Sequence, residues 1–86
     1  MNDTYTIHSD VEFRRLGAEM VLVHLSTNHV FELNNTGARV WELLEAGANT
    51  EQILEQLSIE FEAKTDQLRR DVTALLDELK AAGLIV

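Results

Sequence analysis

The N-terminal part of the chain alternates apolar and polar residues in the way that is typical of half-buried β-strands. Val11 and Phe13, with Leu16 as a further apolar position, stand among charged residues, and Gly17 ends the run. The alternation predicts three strands, at about residues 11–16, 20–25 and 29–33. The connections between them are short, so the strands are expected to pair as an antiparallel sheet.

The third predicted strand has one apolar face and one open edge. Phe31 and Leu33 lie on one face and Val30 and Glu32 on the other, which suits a strand with one side in the core. After Leu33 the chain enters helices directly, so nothing further in the sequence can pair with the outer edge of this strand. An edge of this kind either accepts a strand from a partner or is simply short and solvated, and both interpretations stay open here.

Beyond the strands the apolar period changes to about 3.6 residues, which indicates amphipathic helices. The period predicts helices at about residues 35–46, 50–61 and 65–82. The first helix has a single buried stripe of Gly37, Val40, Trp41 and Leu44. Asn49 with Gln52 has the spacing of a capping box at the start of the second helix. The sequence thus predicts an α+β fold with a three-stranded antiparallel sheet followed by three helices.

The last two predicted helices are joined by a turn at about residues 62–64 and resemble a winged helix-turn-helix. A DNA-binding transcription regulator is therefore the natural alternative. In the helix that would read DNA, however, Asp66 and Asp71 offset Arg69 and Arg70, so a basic face is missing. The formal net charge of −8 would also repel phosphate, and no nucleic-acid partner is expected.

Composition restricts the protein further. A length of 86 residues predicts a single domain, residues 1–86, too small for a deep catalytic cavity. The chain has no cysteine, and its three histidines lack the ligand spacing of a zinc site; His24 is expected on the sheet surface. No catalytic residue, metal or cofactor is therefore expected. The first ten residues lack the features of a signal peptide and no apolar run could span a membrane, which predicts a cytoplasmic protein.

Several short segments, in order and at set spacing, resemble the PqqD-like family over most of the chain. The matching segments are Leu33-Asn34, Thr36-Gly37-Ala38-Arg39-Val40-Trp41, Thr50 before Glu51-Gln52-Ile53, Asp71-Val72, Leu75-Leu76-Asp77-Glu78-Leu79 and Gly83-Leu84-Ile85. Members of this family, also called leader-peptide recognition elements, bind the leader of a ribosomally made precursor peptide as an extra antiparallel strand beside the third strand, in a groove walled by the third helix.

The resemblance implies a peptide-binding adaptor with no enzymatic activity. Its partners would be the precursor leader peptide and a modifying enzyme or leader peptidase of the same pathway, and a free-standing chain favours a lasso-type or quinone-type pathway. The expected peptide-binding residues are His29, Val30, Phe31, Glu32 and Leu33 on the strand and Leu68, Arg69, Val72, Thr73, Leu76, Leu79 and Lys80 on the helix. A structural subunit that uses the open edge to dimerise is a further alternative.

Overall fold

The computed structural model describes residues 4–86, so residues 1–3 of the predicted domain lie outside the described part of the chain. The alternating segments form strands β1 (Val11–Leu16), β2 (Glu19–His24) and β3 (His29–Leu33) in an antiparallel sheet of order β1-β2-β3. Three helices follow, α1 (Asn35–Glu45), α2 (Thr50–Phe61) and α3 (Thr65–Ala81). The predicted fold class is confirmed, and β2 begins and ends one residue earlier than predicted.

One face of the sheet packs against the helices, and the strand register shows which residues it carries. Phe13 of β1 lies opposite Leu22 of β2, which lies opposite Phe31 of β3, so these side chains share a face. Leu22 is fully buried and Phe31 half-buried. The ring of Phe13 meets Trp41 of α1 edge-on, with 5.7 Å between the ring centroids.

Two sequence predictions about the sheet are wrong. Leu16 is 54% exposed, because it is an odd number of residues from Val11 and Phe13 and therefore lies on the solvent face. His24 is only 4% exposed, because it belongs to the inward row of β2 with Leu22. Its ring packs against His8 with the ring centroids 4.8 Å apart.

The helices begin and end at the signals that the sequence contains. The Asn34 side chain accepts a hydrogen bond from the Gly37 N–H at 2.9 Å, and Asn49 and Gln52 form the predicted capping box. Gly47 follows α1 with a φ of +88°, a left-handed conformation that glycine adopts readily. The stripe predicted for α1 is buried throughout, and Trp41 is fully enclosed.

The two ends of the described chain pair with each other. Ile7 and Ile85 form an antiparallel bridge, and the His8 N–H donates to the Leu84 carbonyl at 2.9 Å.

Between α1 and α2, Arg39 donates to the Glu60 carboxylate at 2.9 Å. This hydrogen bond, with a second from a glutamine side chain, lowers the pKa of Glu60.

Candidate functional site

The outer edge of β3 presents backbone groups that no neighbouring strand uses. Just beyond the β1–β2 ladder, the Leu25 N–H donates to the carbonyl of the directly opposed Asp10 at 2.9 Å. Every second residue of β2 counted back from Leu25, beginning with Val23, therefore bonds to β1. Hydrogen-bonding direction alternates along a strand, so Leu22 bonds to β3 and Phe31 bonds back to β2. The N–H and C=O groups of Val30 and Glu32 therefore point outward from the sheet.

These outward groups are available to a further strand. Within residues 4–86, neither the turn and loop hydrogen bonds of the backbone nor the side-chain hydrogen bonds include the backbone of Val30 or Glu32. The sheet has a second edge at β1, but there the outward Val11 N–H already donates to the His8 carbonyl at 3.1 Å. The β3 edge is thus the better prepared of the two for strand addition.

A groove of about 340 Å³ runs beside this edge, between β3 and the start of α1 on one side and α3 on the other. Leu33, Val40, Val72 and Leu75 supply its apolar lining. Gly37 also lines it, and a Cβ there would lie 3.3 Å from the Leu33 Cβ, so glycine permits β3 and α1 to approach closely. The groove therefore lies where side chains of a segment added along β3 would project.

The polar lining of the groove is acidic. Asp71 and Glu78 of α3 border it together with Asn34 and Thr36, and Glu32 of β3 reaches its lining although the Glu32 side chain projects on the solvent face of the sheet. No lysine or arginine is among the lining residues. Within residues 4–86 the three carboxylates form no ion pair, and the only side-chain hydrogen bond to any of them is donated by a glutamine amide to Asp71 at 3.0 Å. The groove therefore favours a ligand that brings positive charge.

The residues predicted on β3 all lie on the edge strand, whereas those predicted on α3 are divided between the groove, the core and the opposite flank of the helix. On β3, His29 is exposed and its ring meets that of Phe31 edge-on, with centroids 5.8 Å apart. On α3, Val72 lines the groove. All four apolar residues predicted for the helix belong to the core, with at most 4% exposed: Leu68, Val72, Leu76 and Leu79. Leu76 also lines the depression on the opposite flank.

Arg69 and Thr73 lie on the opposite flank of α3 from the groove, and the prediction that they border it does not fit the structure. They line a separate depression with Glu51, and Arg69 donates to the Glu51 carboxylate at 3.0 Å. Successive helical residues are about 100° apart, so Thr73 is about 100° round the helix from Val72 and faces away from the groove. Lys80 is exposed and follows on the same flank as Thr73, seven residues along.

The groove residues that sequence reasoning missed form a row on α3. Asp71, Leu75 and Glu78 follow one another at i, i+4 and i+7 and so share a flank. Because this row mixes acidic and apolar residues, the apolar periodicity of the sequence does not indicate that it belongs to a site. The segment match to Asp71-Val72 and Leu75 through Glu78 was the signal that could have identified it.

Within residues 4–86 no group of three or more metal-ligating side chains is arranged to hold a metal ion. None of the described helices has the length and apolar character needed to cross a membrane.

Comparison with known proteins places the chain in a family. The family model for coenzyme PQQ synthesis protein D (PqqD) matches residues 19–85. The chain belongs to the PqqD family. No curated protein matches the sequence.

Solved structures similar to the chain have been determined with bound peptides. TbiB1, solved in complex with the TbiA(beta) leader peptide, is 32% identical, with a TM-score of 0.87 and 92% of each chain covered. A lasso peptide synthetase B1, complexed with the leader peptide, is 22% identical with a TM-score of 0.83, covering 98% of this chain and 99% of its own. The second likeness shows the fold alone.

Proposed function

We propose that this protein captures the leader segment of a ribosomally made precursor peptide by β-strand addition to β3, in the groove beside α3. The observation that carries the proposal is the outward-facing backbone of Val30 and Glu32 next to a groove with an apolar lining. An extended peptide can satisfy the backbone groups and place alternate side chains in the groove. The likeness to TbiB1, which was solved with a leader peptide, supports the same use of this fold.

The two parts of the site have different energetic roles. Pairing with Val30 and Glu32 would form up to four backbone hydrogen bonds, each worth about 0.5–1.5 kcal/mol net. Such bonds depend little on sequence, and alone they fall short of the roughly 8 kcal/mol that a micromolar affinity requires. Burial of leader side chains against half-buried Leu75, over a groove floor of Leu33 and Val72, would supply the remainder and with it the selectivity.

The protein would act as an adaptor, performing no bond chemistry itself. Holding the leader keeps the attached core segment close to a separate modifying enzyme or leader peptidase, which raises its effective concentration there. Both of the solved structures described above were determined in complex with a leader peptide, and one of them is a lasso peptide synthetase B1. We therefore infer that the partners of this protein are a precursor peptide, bound through its leader, and the modifying enzyme or leader peptidase of the same pathway.

The proposal can be tested by titrating the ¹⁵N-labelled protein with the synthetic leader of a precursor peptide sought among the short reading frames near its gene. The largest amide shifts are expected at Val30 and Glu32, with further shifts from Asp71 to Glu78. Shifts centred on β1 or on Arg69 and Thr73, or no shifts at all, would contradict strand addition at β3. A duplex DNA titration serves as the control, because a regulator would instead show salt-sensitive shifts at the arginines of α3.

A further inference from the structure

We propose that the bound segment carries an apolar-basic-apolar triplet whose basic residue lies opposite Glu32. This inference rests on the proposed function and specifies the class of peptide that the same site accepts. It follows from three features of the described residues: the register of the open edge, the charge at Glu32 and the apolar lining of the groove.

The register fixes which peptide side chains enter the groove. An added antiparallel strand that bonds to Val30 and Glu32 places its other residues opposite Phe31 and Leu33. Directly opposed residues project on the same face of a sheet. Phe31 and Leu33 face the helices, so the two peptide residues opposite them enter the groove, and the residue between them projects beside Glu32 on the solvent face.

Glu32 is a charged residue without a partner on that face. On β2, Val21 lies directly opposite Glu32. The nearest arginine across the sheet is Arg14 of β1, which lies opposite Val21 on its other side. Two strand spacings, about 9.6 Å, therefore separate the Arg14 and Glu32 backbones. Within residues 4–86 Glu32 takes part in no ion pair. An incoming lysine or arginine would be the first cation beside it.

The two flanking positions require apolar side chains for a different reason. The peptide residues opposite Phe31 and Leu33 would cover a half-buried ring and the apolar lining that Val72 and Leu75 provide. A charged side chain directed into this lining would be desolvated there. The acidic residues Asp71 and Glu78 stand at the groove as well, and they add to the preference for a cationic over an anionic segment.

Selection of phage-displayed random 12-residue peptides on the purified full chain tests this inference. We expect enrichment of apolar-basic-apolar triplets on the wild-type protein. On Glu32→Lys the middle residue should change to Asp or Glu while the flanking apolar residues persist. Peptides from the wild-type selection, resynthesised with Glu for the middle residue, should bind about threefold to tenfold more weakly by fluorescence anisotropy, since opposed charges favour and like charges oppose strand pairing.

The matched control is Glu12→Lys, a charge reversal on the same exposed face of the sheet but on β1. Its selected peptides should equal those of the wild type. Circular dichroism of both variants verifies that the fold is retained. Enriched peptides whose middle residue does not respond to Glu32→Lys would overturn the triplet but leave strand capture standing. A failure to enrich any peptide would overturn the triplet together with the proposed function.

Discussion

Leu75 and Thr73 are two residues apart on α3, yet they belong to different surfaces of the protein. Leu75 is half-buried and lines the groove, whereas Thr73 is exposed and lines the depression on the opposite flank. The core row between them includes Leu76, which is 3% exposed. A test of the groove must therefore avoid Leu76, because a polar residue there would damage the core before it reported on binding.

Leu75→Asp should weaken leader binding at least tenfold. The change removes apolar contact from the groove and adds a carboxylate beside Asp71 and Glu78, which a peptide would have to desolvate. Thr73→Asp is the matched control and should bind within about twofold of the wild type. Both affinities can be measured by isothermal titration calorimetry. Equal losses in the two variants would indicate that the groove is not the binding surface.

Arg69→Ala should leave leader binding unchanged, because Arg69 is engaged with Glu51 on the far flank of α3. Its hydrogen bond to Glu51 lowers the pKa of that carboxyl. A carboxyl group whose pKa is lowered by folding stabilises the fold at pH values above the ordinary pKa of Glu. That stabilisation is lost as the pH falls through the lowered pKa. The variant should therefore show a raised Glu51 pKa by NMR titration. A loss of leader affinity in this variant would show that Arg69 does belong to the binding site.

At the level of elements, the sequence predicts the order and kind of every strand and helix, because the apolar period differs between them. It also predicts the open edge of β3, since the chain leaves that strand directly for α1. The helical stripe identifies the face of α3 that meets the core, but not the element that packs beside each flank. Arg69 and Thr73 were assigned to the wrong flank for that reason. Only the packing of α3 against α1, with β3 on the other side of the groove, shows that Asp71 and Leu75 border it.

Val30→Pro should weaken leader binding about tenfold or more while preserving the sheet. The Val30 N–H points to the open edge, so proline removes a donor for the leader and none of the bonds to β2. Val30→Thr keeps both the N–H and the branched Cβ and should bind like the wild type. Calorimetry on the two variants, with circular dichroism as a check of the fold, separates the outcomes. Unimpaired binding by the proline variant would mean that the leader does not pair at Val30.

Asn49→Ala should destabilise the protein through the start of α2. The substitution removes the acceptor for the Gln52 N–H, which lies 2.9 Å from Asn49 Oδ1, and breaks the capping box. The loss of such a cap costs about 0.5–2 kcal/mol, and each kcal/mol lowers Tm by roughly 4–8 °C in a domain of this size. Glu55→Ala, an exposed change within the same helix, should shift Tm by less than about 2 °C. Thermal unfolding by circular dichroism compares them.

At the scale of the whole molecule, the negative charge and the groove favour the same kind of ligand. The formal net charge is −8, and the carboxylates of Asp71 and Glu78 border the groove, with Glu32 at the neighbouring edge of β3 and no cation among the lining residues. The field of an acidic molecule attracts a basic segment before contact and repels nucleic acid. Under the proposed function, charge would assist the encounter with the leader, and hydrogen bonding to β3 and burial in the groove would hold the leader afterwards.

This division of roles predicts a salt dependence that falls mainly on association. Rising salt shortens the Debye length from about 10 Å at 0.1 M to about 3 Å at 1 M and so weakens attraction between the acidic protein and a basic leader. Stopped-flow anisotropy between 20 and 500 mM KCl should show a several-fold fall in the association rate constant and a much smaller change in dissociation. The same leader with its basic residues replaced by glutamine is the control and should associate at a nearly constant rate. Equal salt dependence of the two peptides would show that charge does not guide the encounter, and would leave the apolar groove and the β3 edge as the whole basis of recognition.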